Sequence, residues 1–208
     1  MSDAKTDTKS ALRQSKGTDK PQLKVDDWLD AAAGEIAAGG FSNLRVMTLA
    51  KKLGVTRGSF YWHFRDHQDL VQRFLQRWRD RRLHELQYWK PQGGDVEEEL
   101  RHILELLLTD ASRNIRRLQV ELAVRDFARR NDLAAELVLE VDESRINQNC
   151  QLFERLGTDP EQTRGLSLLL YVSIIGSQVV LTGRNDDADS IRSIERMLAG
   201  IINELRNR

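Results

Sequence analysis

Residues Leu44 to Leu70 read LRVMTLAKKLGVTRGSFYWHFRDHQDL, and the spacing within them decides how the chain is built. Leu49, Leu53, Val55, Phe60 and Phe64 supply a small apolar core, with Ala50 and Gly54 leaving space where two helices cross closely. The spacing predicts short helices over 46–53 and 57–64, joined by Gly54-Val55-Thr56, a turn tight enough to force a steep crossing. Gly54 can take the positive φ of that turn, and Thr56 can cap the second helix. Phe60 and Phe64 are needed inside, so at 3.6 residues per turn Tyr61, Trp62 and His63 between them cannot all face inward. Together with Arg57, Gly58 and Ser59 they project around the exposed start of the second helix, the part of a recognition helix that enters a major groove.

Outward from this segment the pattern stays helical. A helix over Val25–Ala38 places Trp28, Leu29, Ala32 and Ile36 on one side and ends at Gly39-Gly40. After Asp66, an N-cap with Asp69 three residues on, a longer helix runs to about Trp89 and stops at Pro91-Gln92-Gly93-Gly94. Further helices are expected near 95–110, 114–129, 132–156, 160–182 and 187–206, with Asn131, Asp159-Pro160 and Asp186-Asp187 as starts and Gly157 and Gly183 as stops. The fold class is therefore all-α, with about nine helices and no strand pattern.

Composition narrows the function classes. Charged residues make up 31% of 208 residues and Pro only 3, as in a helical protein. The net charge is zero, but residues 1–65 hold eleven Lys and Arg against seven Asp and Glu, an excess of four that favours approach to phosphates. The lone Cys150 excludes an internal disulfide, no Cys/His cluster suggests a metal, and residues 1–22 read as a polar, flexible arm without a signal peptide, so the expected location is the cytoplasm, with the nucleoid. His63 and His67 stand four apart, but Asp66 should break the helix between them and no third ligand is placed. Residues 165–183 carry no charge over nineteen positions, yet Ser167, Ser173, Ser177, Gln178, Thr182 and three glycines suit a helix buried among helices rather than one in lipid. With no nucleophile beside a base, no phosphate loop and no metal cluster, an enzyme is not expected, nor a cofactor.

The run Gly-Val-Thr-x-Gly-Ser-Phe-Tyr-x-His-Phe at Gly54–Phe64, preceded by Leu49-Ala50-x-x-Leu53 and by a first helix ending in Gly40-Phe41, resembles the recognition-helix signature of the TetR family of transcriptional regulators. The resemblance covers about residues 25–70 and implies roles: Tyr61 and His63 on backbone phosphates, and Arg57, Ser59 and Trp62 near base edges or the adjoining backbone. Arg57 has the chemistry for a bidentate contact to guanine, and Gly58 lets the helix start approach the duplex. Arg45-Val46 stands where the family often has Thr, so a cap contact is missing and Arg45, or Thr48 one turn later, is available to a phosphate. His67 stands where a lysine is usual, so a phosphate contact there would weaken as the ring loses its proton.

The organisation expected is an arm over 1–22, a three-helix DNA-binding domain over 23–66, and a helical ligand-binding and dimerisation domain over 67–208. Ile191, Ile194, Leu198, Ile201 and Leu205 form a seam on the last helix, widened by Met197 and Ile202, and with the apolar helix at 160–182 it suits a four-helix homodimer interface. Two recognition helices would then meet a near-palindromic operator in double-stranded DNA. Polar residues interrupt apolar stripes at Arg125, at Asp142 and Asn149 (among Leu139, Ile146, Phe153 and Leu156), and at Tyr171 and Gln178; they either satisfy one another or contact a small-molecule effector. The expected function is a repressor released by that effector, and the competing reading is a helical interaction module with a vestigial helix-turn-helix.

Overall fold

The computed structural model describes residues 23–88, 98, 115–180 and 187–206, and no strand occurs among them. Eight helices are α1 (Val25–Gly39), α2 (Val46–Lys52), α3 (Arg57–Phe60), α4 (His67–Tyr88), α5 (Ile115–Ala128), α6 (Asp132–Arg155), α7 (Pro160–Val180) and α8 (Asp187–Arg206), with a 3-10 turn at Phe41–Asn43. The all-helical expectation holds. The arm at 1–22, the helix expected at 95–110 apart from Glu98, the Pro91–Gly94 break and Gly183 lie outside the described residues.

Local chemistry sets the helix ends. The Lys24 N–H donates to the Asp27 carboxylate at 2.6 Å, and Gly40, at φ 70°, returns its N–H to the Ile36 carbonyl at 2.8 Å. Asp66 caps α4 as expected, accepting from the Asp69 N–H at 2.8 Å, while Asp69 reaches back to the Arg65 N–H at 3.0 Å. Asn131 accepts from Ala134 N–H at 2.9 Å to start α6, and Gly157, at φ 77°, follows its end. Thr56 differs from expectation: it occupies the N-cap position of α3 with extended backbone, but its hydroxyl makes no capping bond. The second short helix is also shorter than the apolar spacing suggested. After Phe60 the chain tightens, with Tyr61, Trp62 and His63 donating to the carbonyls three residues back, because the next helix already starts at His67.

One core runs through the first six helices. Trp28, Ala32 and Ile36 of α1 meet Leu49 and Ala50 of α2, Phe60 and Phe64, then Leu70, Phe74, Leu75 and Trp78 of α4, Val120 and Val124 of α5, and Ala134, Leu137 and Val141 of α6. Leu53 and Val55 pack on its edge, half-buried. Full burial of each large side chain is worth about 1.5–3 kcal/mol, so Trp28, Phe60 and Phe64 alone outweigh the weak propensity of a four-residue helix. Phe41 bridges the 3-10 turn to the later helices, edge-on to Phe74 at 5.8 Å and stacked on Phe127 at 4.2 Å. A further apolar layer lies where α6 and α7 pack, built from Ile146, Leu152, Phe153, Leu166, Leu170 and Ile174. Leu139, expected in the buried stripe of α6, is instead 61% exposed; Leu137 and Val141, two residues to either side, point inward. Among the described residues no helix is long and apolar enough to cross a membrane.

Candidate nucleic-acid interface

The outward face of α3 is built on buried aromatic rings. Trp28 meets Phe60 edge-on at 5.5 Å, and Phe60 stacks on Phe64 at 5.1 Å, which pins both ends of the α3 segment to α1. With those two rings fully buried, the residues between them turn outward: Tyr61 is exposed, Trp62 is 88% exposed, and His63 is half-buried with its ring 6.3 Å from that of Trp28. Arg57 and Gly58 are exposed at the helix start, and Ser59 is half-buried.

Arg57 is not a loose side chain. Its Nη2 donates to the Tyr61 hydroxyl at 3.1 Å, and the guanidinium lies 5.8 Å from the Tyr61 ring centre, so the two residues one turn apart orient each other. Such preorganisation lowers the side-chain freedom lost when the guanidinium makes a further contact.

Around this face stand the remaining candidates. Arg45 is exposed at the N-cap position of α2 and makes no side-chain cap bond; Thr48 is half-buried one turn on; Thr56 is exposed in the turn, where Gly54 has φ 67°. His67 is exposed at the start of α4, and its Nε2–H donates to the Leu44 carbonyl at 2.9 Å, tying α4 to the segment that enters α2. A carbonyl only accepts, so the proton sits on Nε2. Asp66 does interrupt the chain between His63 and His67, and the two rings serve different neighbours.

Sequence reasoning missed the contacts of Glu35 and the Arg73 partner of Asp69, which brace this face. Glu35 of α1 is buried, accepts from the Asn43 side-chain amide at 3.4 Å and pairs with Lys52 of α2. Asp69, also buried, accepts from the Arg65 N–H at 3.0 Å and from Arg73 Nε at 3.1 Å. The backbone N–H of Arg65 is the chief reason its carboxyl is held below its ordinary pKa, helped by Arg73, against the opposing effect of burial.

The polar residues picked out on the later helices are partly brought together. Arg125 of α5 donates to both Asp142 carboxylate oxygens, at 3.0 and 2.6 Å, and to the Tyr171 hydroxyl at 2.6 Å, while Tyr171 donates to Asp142 at 2.5 Å. Burial pushes the Tyr171 pKa up to about 12, so the phenol stays protonated as a donor. Burial alone would lower the Arg125 pKa, but the Asp142 hydrogen bond and the Glu121 charge outweigh it and raise it. Asn149 is apart from this group, donating to the Ser167 carbonyl at 3.4 Å, and the side chain of Gln178 lies outside the described residues. Glu121, Arg145 and Arg82 join the cluster without having been anticipated. Their signal was present in the i,i+4 spacing of Glu121 and Arg125 and in Arg145 one turn after Asp142.

Residues 29–74 match the family model described as bacterial regulatory proteins, tetR family. The chain is 35% identical over 95 residues to the HTH-type transcriptional regulator AcrR of Shigella flexneri, a stretch covering 42% of this chain and 43% of that protein. It thus spans less than half the length of this curated relative. Among solved structures, a TetR-family transcriptional regulator from Agrobacterium tumefaciens superposes with a TM-score of 0.71 at 18% identity, covering 87% of this chain and 98% of that one. The transcriptional regulator FadR of Bacillus subtilis, solved in complex with stearoyl-CoA, superposes with a TM-score of 0.66 at 17% identity over 85% of this chain and 98% of that one. A protein of Saccharomonospora viridis solved with choline gives 0.66 at 22% identity, over 86% and 95%. At these identities the structural likeness speaks for the fold.

Proposed function

We infer that this chain, a TetR-family protein by its N-terminal helix-turn-helix, is a repressor that binds a near-palindromic operator as a homodimer and is released by a small molecule. The observation that carries the reading is the outward face of α3: Arg57 held by Tyr61 beside a solvent-facing Trp62, mounted on the buried rings of Trp28, Phe60 and Phe64. An arginine fork and exposed aromatic edges on a rigid helix start are the groups that read base edges and thymine methyls. Arg45, Thr48, Thr56, Ser59, His63 and His67 surround it as phosphate and backbone contacts, and residues 23–66 form the reading domain.

The dimer forms through α7 and α8. Leu168, Leu169, Val172, Val179 and Val180 of α7 and Met197 and Ile201 of α8 are exposed in the single chain, which is costly for a contiguous apolar surface in water. Effector binding is assigned to the helices beyond residue 67, with Arg125, Asp142, Asn149, Tyr171 and Gln178 as contacts; fold relatives holding stearoyl-CoA and choline lend support.

Selection of genomic fragments by the purified full chain, followed by electrophoretic shift, tests the reading. A recurrent inverted repeat is expected, with binding lost in Arg57→Ala. Fragments without a shared motif, retained equally by wild type and variant, would refute it.

A further inference from the structure

Among the described residues, three arginines from two helices close on one turn of α1. Arg77 of α4 lies between Asp26 and Asp30, which stand four residues apart: its Nη1 donates to the Asp26 carboxylate at 3.1 Å and to the Asp26 carbonyl at 3.4 Å, and its Nη2 to the Asp30 carboxylate at 2.7 Å. Arg81, one turn further along α4, brings Nη2 to 3.6 Å from the same Asp30 oxygen, and Arg116 of α5 donates to the Asp30 backbone carbonyl at 2.9 Å.

Gly34 is what admits Arg116. In a helix the side chain of residue i+4 leans back over the carbonyl of residue i. Gly34 is that residue for Asp30, and a Cβ there would stand 3.1 Å from Arg116 Nη2. Glycine inside a helix is unfavourable relative to alanine, and here the room it leaves is filled by a guanidinium from another helix.

α1 also meets α4 and α5 through the apolar core, and Phe41 stacks on Phe127. Apolar burial is non-directional, so it opposes separation of the helices more than a small rocking of one on another. A guanidinium fork has fixed donor directions, and the Arg77 side chain, only 14% exposed, is held by packing along its stem. Ion pairs to carboxylates as open as these add little stability each. What they add is direction, because donors from α4 and α5 converge on a single residue of α1.

We propose that Asp30, gripped by Arg77 and Arg116, is a positioning residue that fixes the angle of α1 on α4 and α5, and thereby the separation at which two reading faces meet DNA. The second half rests on the reading of the chain as an operator-binding dimer; the first half stands without it.

Spin labels on Met47→Cys of α2 and Leu139→Cys of α6, both exposed positions, in a Cys150→Ser background report the angle in the full chain. Dilution into excess unlabelled protein keeps each measured pair within one chain. Arg77→Met keeps the stem and removes the fork; Gly34→Ala keeps every charge and pushes Arg116 off the Asp30 carbonyl. Each should broaden the distance distribution, whereas Arg79→Gln, which breaks the α4 pair with Glu140 away from α1, should leave it as in the wild type. Gly34→Ala should do so with Tm unchanged or raised, because alanine favours the helix, and this separates lost positioning from lost stability. Identical distributions in the wild type and both variants overturn the proposal.

Operators from the fragment selection, rebuilt with half-sites one base pair closer or farther, test the second half. Each step moves a half-site by about 3.4 Å and turns it roughly 35° around the duplex. The wild type should lose about tenfold in affinity per step and the two variants about threefold or less, since a looser angle lets both half-sites still be met together. Equal spacing preference in all three proteins overturns the link from Asp30 to operator spacing. A wild type with a narrow distance distribution but no operator refutes the regulator reading and upholds the positioning role.

Discussion

Arg57 and Tyr61 act as a pair, each limiting the other's freedom. Arg57→Ala should lower operator affinity about tenfold to a hundredfold and flatten discrimination at one base pair, since a bidentate guanine contact is worth about 1–3 kcal/mol. Tyr61→Phe keeps the ring but removes the acceptor for Arg57 Nη2; its loss should be smaller and should leave the base preference in place. Titration against operators mutated one pair at a time separates the two outcomes. Asp69 works at the same scale, through bonds rather than burial alone. Asp69→Asn should cost about 1 kcal/mol near neutral pH, as loss of a capping carboxylate does. Its pKa is lower folded than unfolded, so its contribution is complete above the unfolded value near 3.8 and fades as pH falls through the depressed folded value. Wild-type and variant melting curves should therefore converge in acid; a gap that stays constant with pH would show that the charge is not what matters.

The turn between α2 and α3 is the element whose geometry leaves least choice. Gly54 has φ 67° with nothing within 4 Å of where a Cβ would stand, so a side chain there meets backbone strain rather than a clash. Gly54→Ala should destabilise by about 1–2 kcal/mol and lower Tm by about 2–4 °C for each, while Gly54→Asn, which tolerates left-handed backbone, should recover much of the loss. Calorimetry of the two variants checks the order. α3 shows a different kind of constraint. Four residues do not sustain a helix by propensity, and this one persists because Phe60 and Phe64 are anchored on Trp28. Its tightened end at Tyr61–His63 is where the packing of α4 overrides the regular helical spacing.

For the whole molecule, the exposed apolar positions of α7 and α8 among the described residues carry the clearest expectation. Val172→Glu combined with Met197→Glu places charge on two exposed apolar positions, 57% and 69% open, without touching the single-chain core. Sedimentation should show a dimer becoming a monomer with unchanged helical circular dichroism, and operator affinity should fall by far more than for a single lost contact, because two half-sites are no longer bound together. A variant that remains dimeric and binds normally would move the interface elsewhere.

What the sequence by itself determined is local. Gly54, the alternation of Phe60 and Phe64 with polar neighbours, and the caps at Asp66 and Asn131 act within a few residues, so the helix-turn-helix, the all-helical class and the outward aromatic pair were legible from spacing. Tertiary structure decided what depends on helices far apart in the chain. Only packing could show that Leu139 faces water, that the Thr56 hydroxyl caps nothing, and that His67 spends a proton on the Leu44 carbonyl. It also brought Arg82, Glu121 and Arg145 to Arg125, Asp142 and Tyr171 from four helices. Periodicity assigns a residue to a side of its own helix; the energy of a buried charge depends on which other helices supply its partners, and that is a property of the folded arrangement alone.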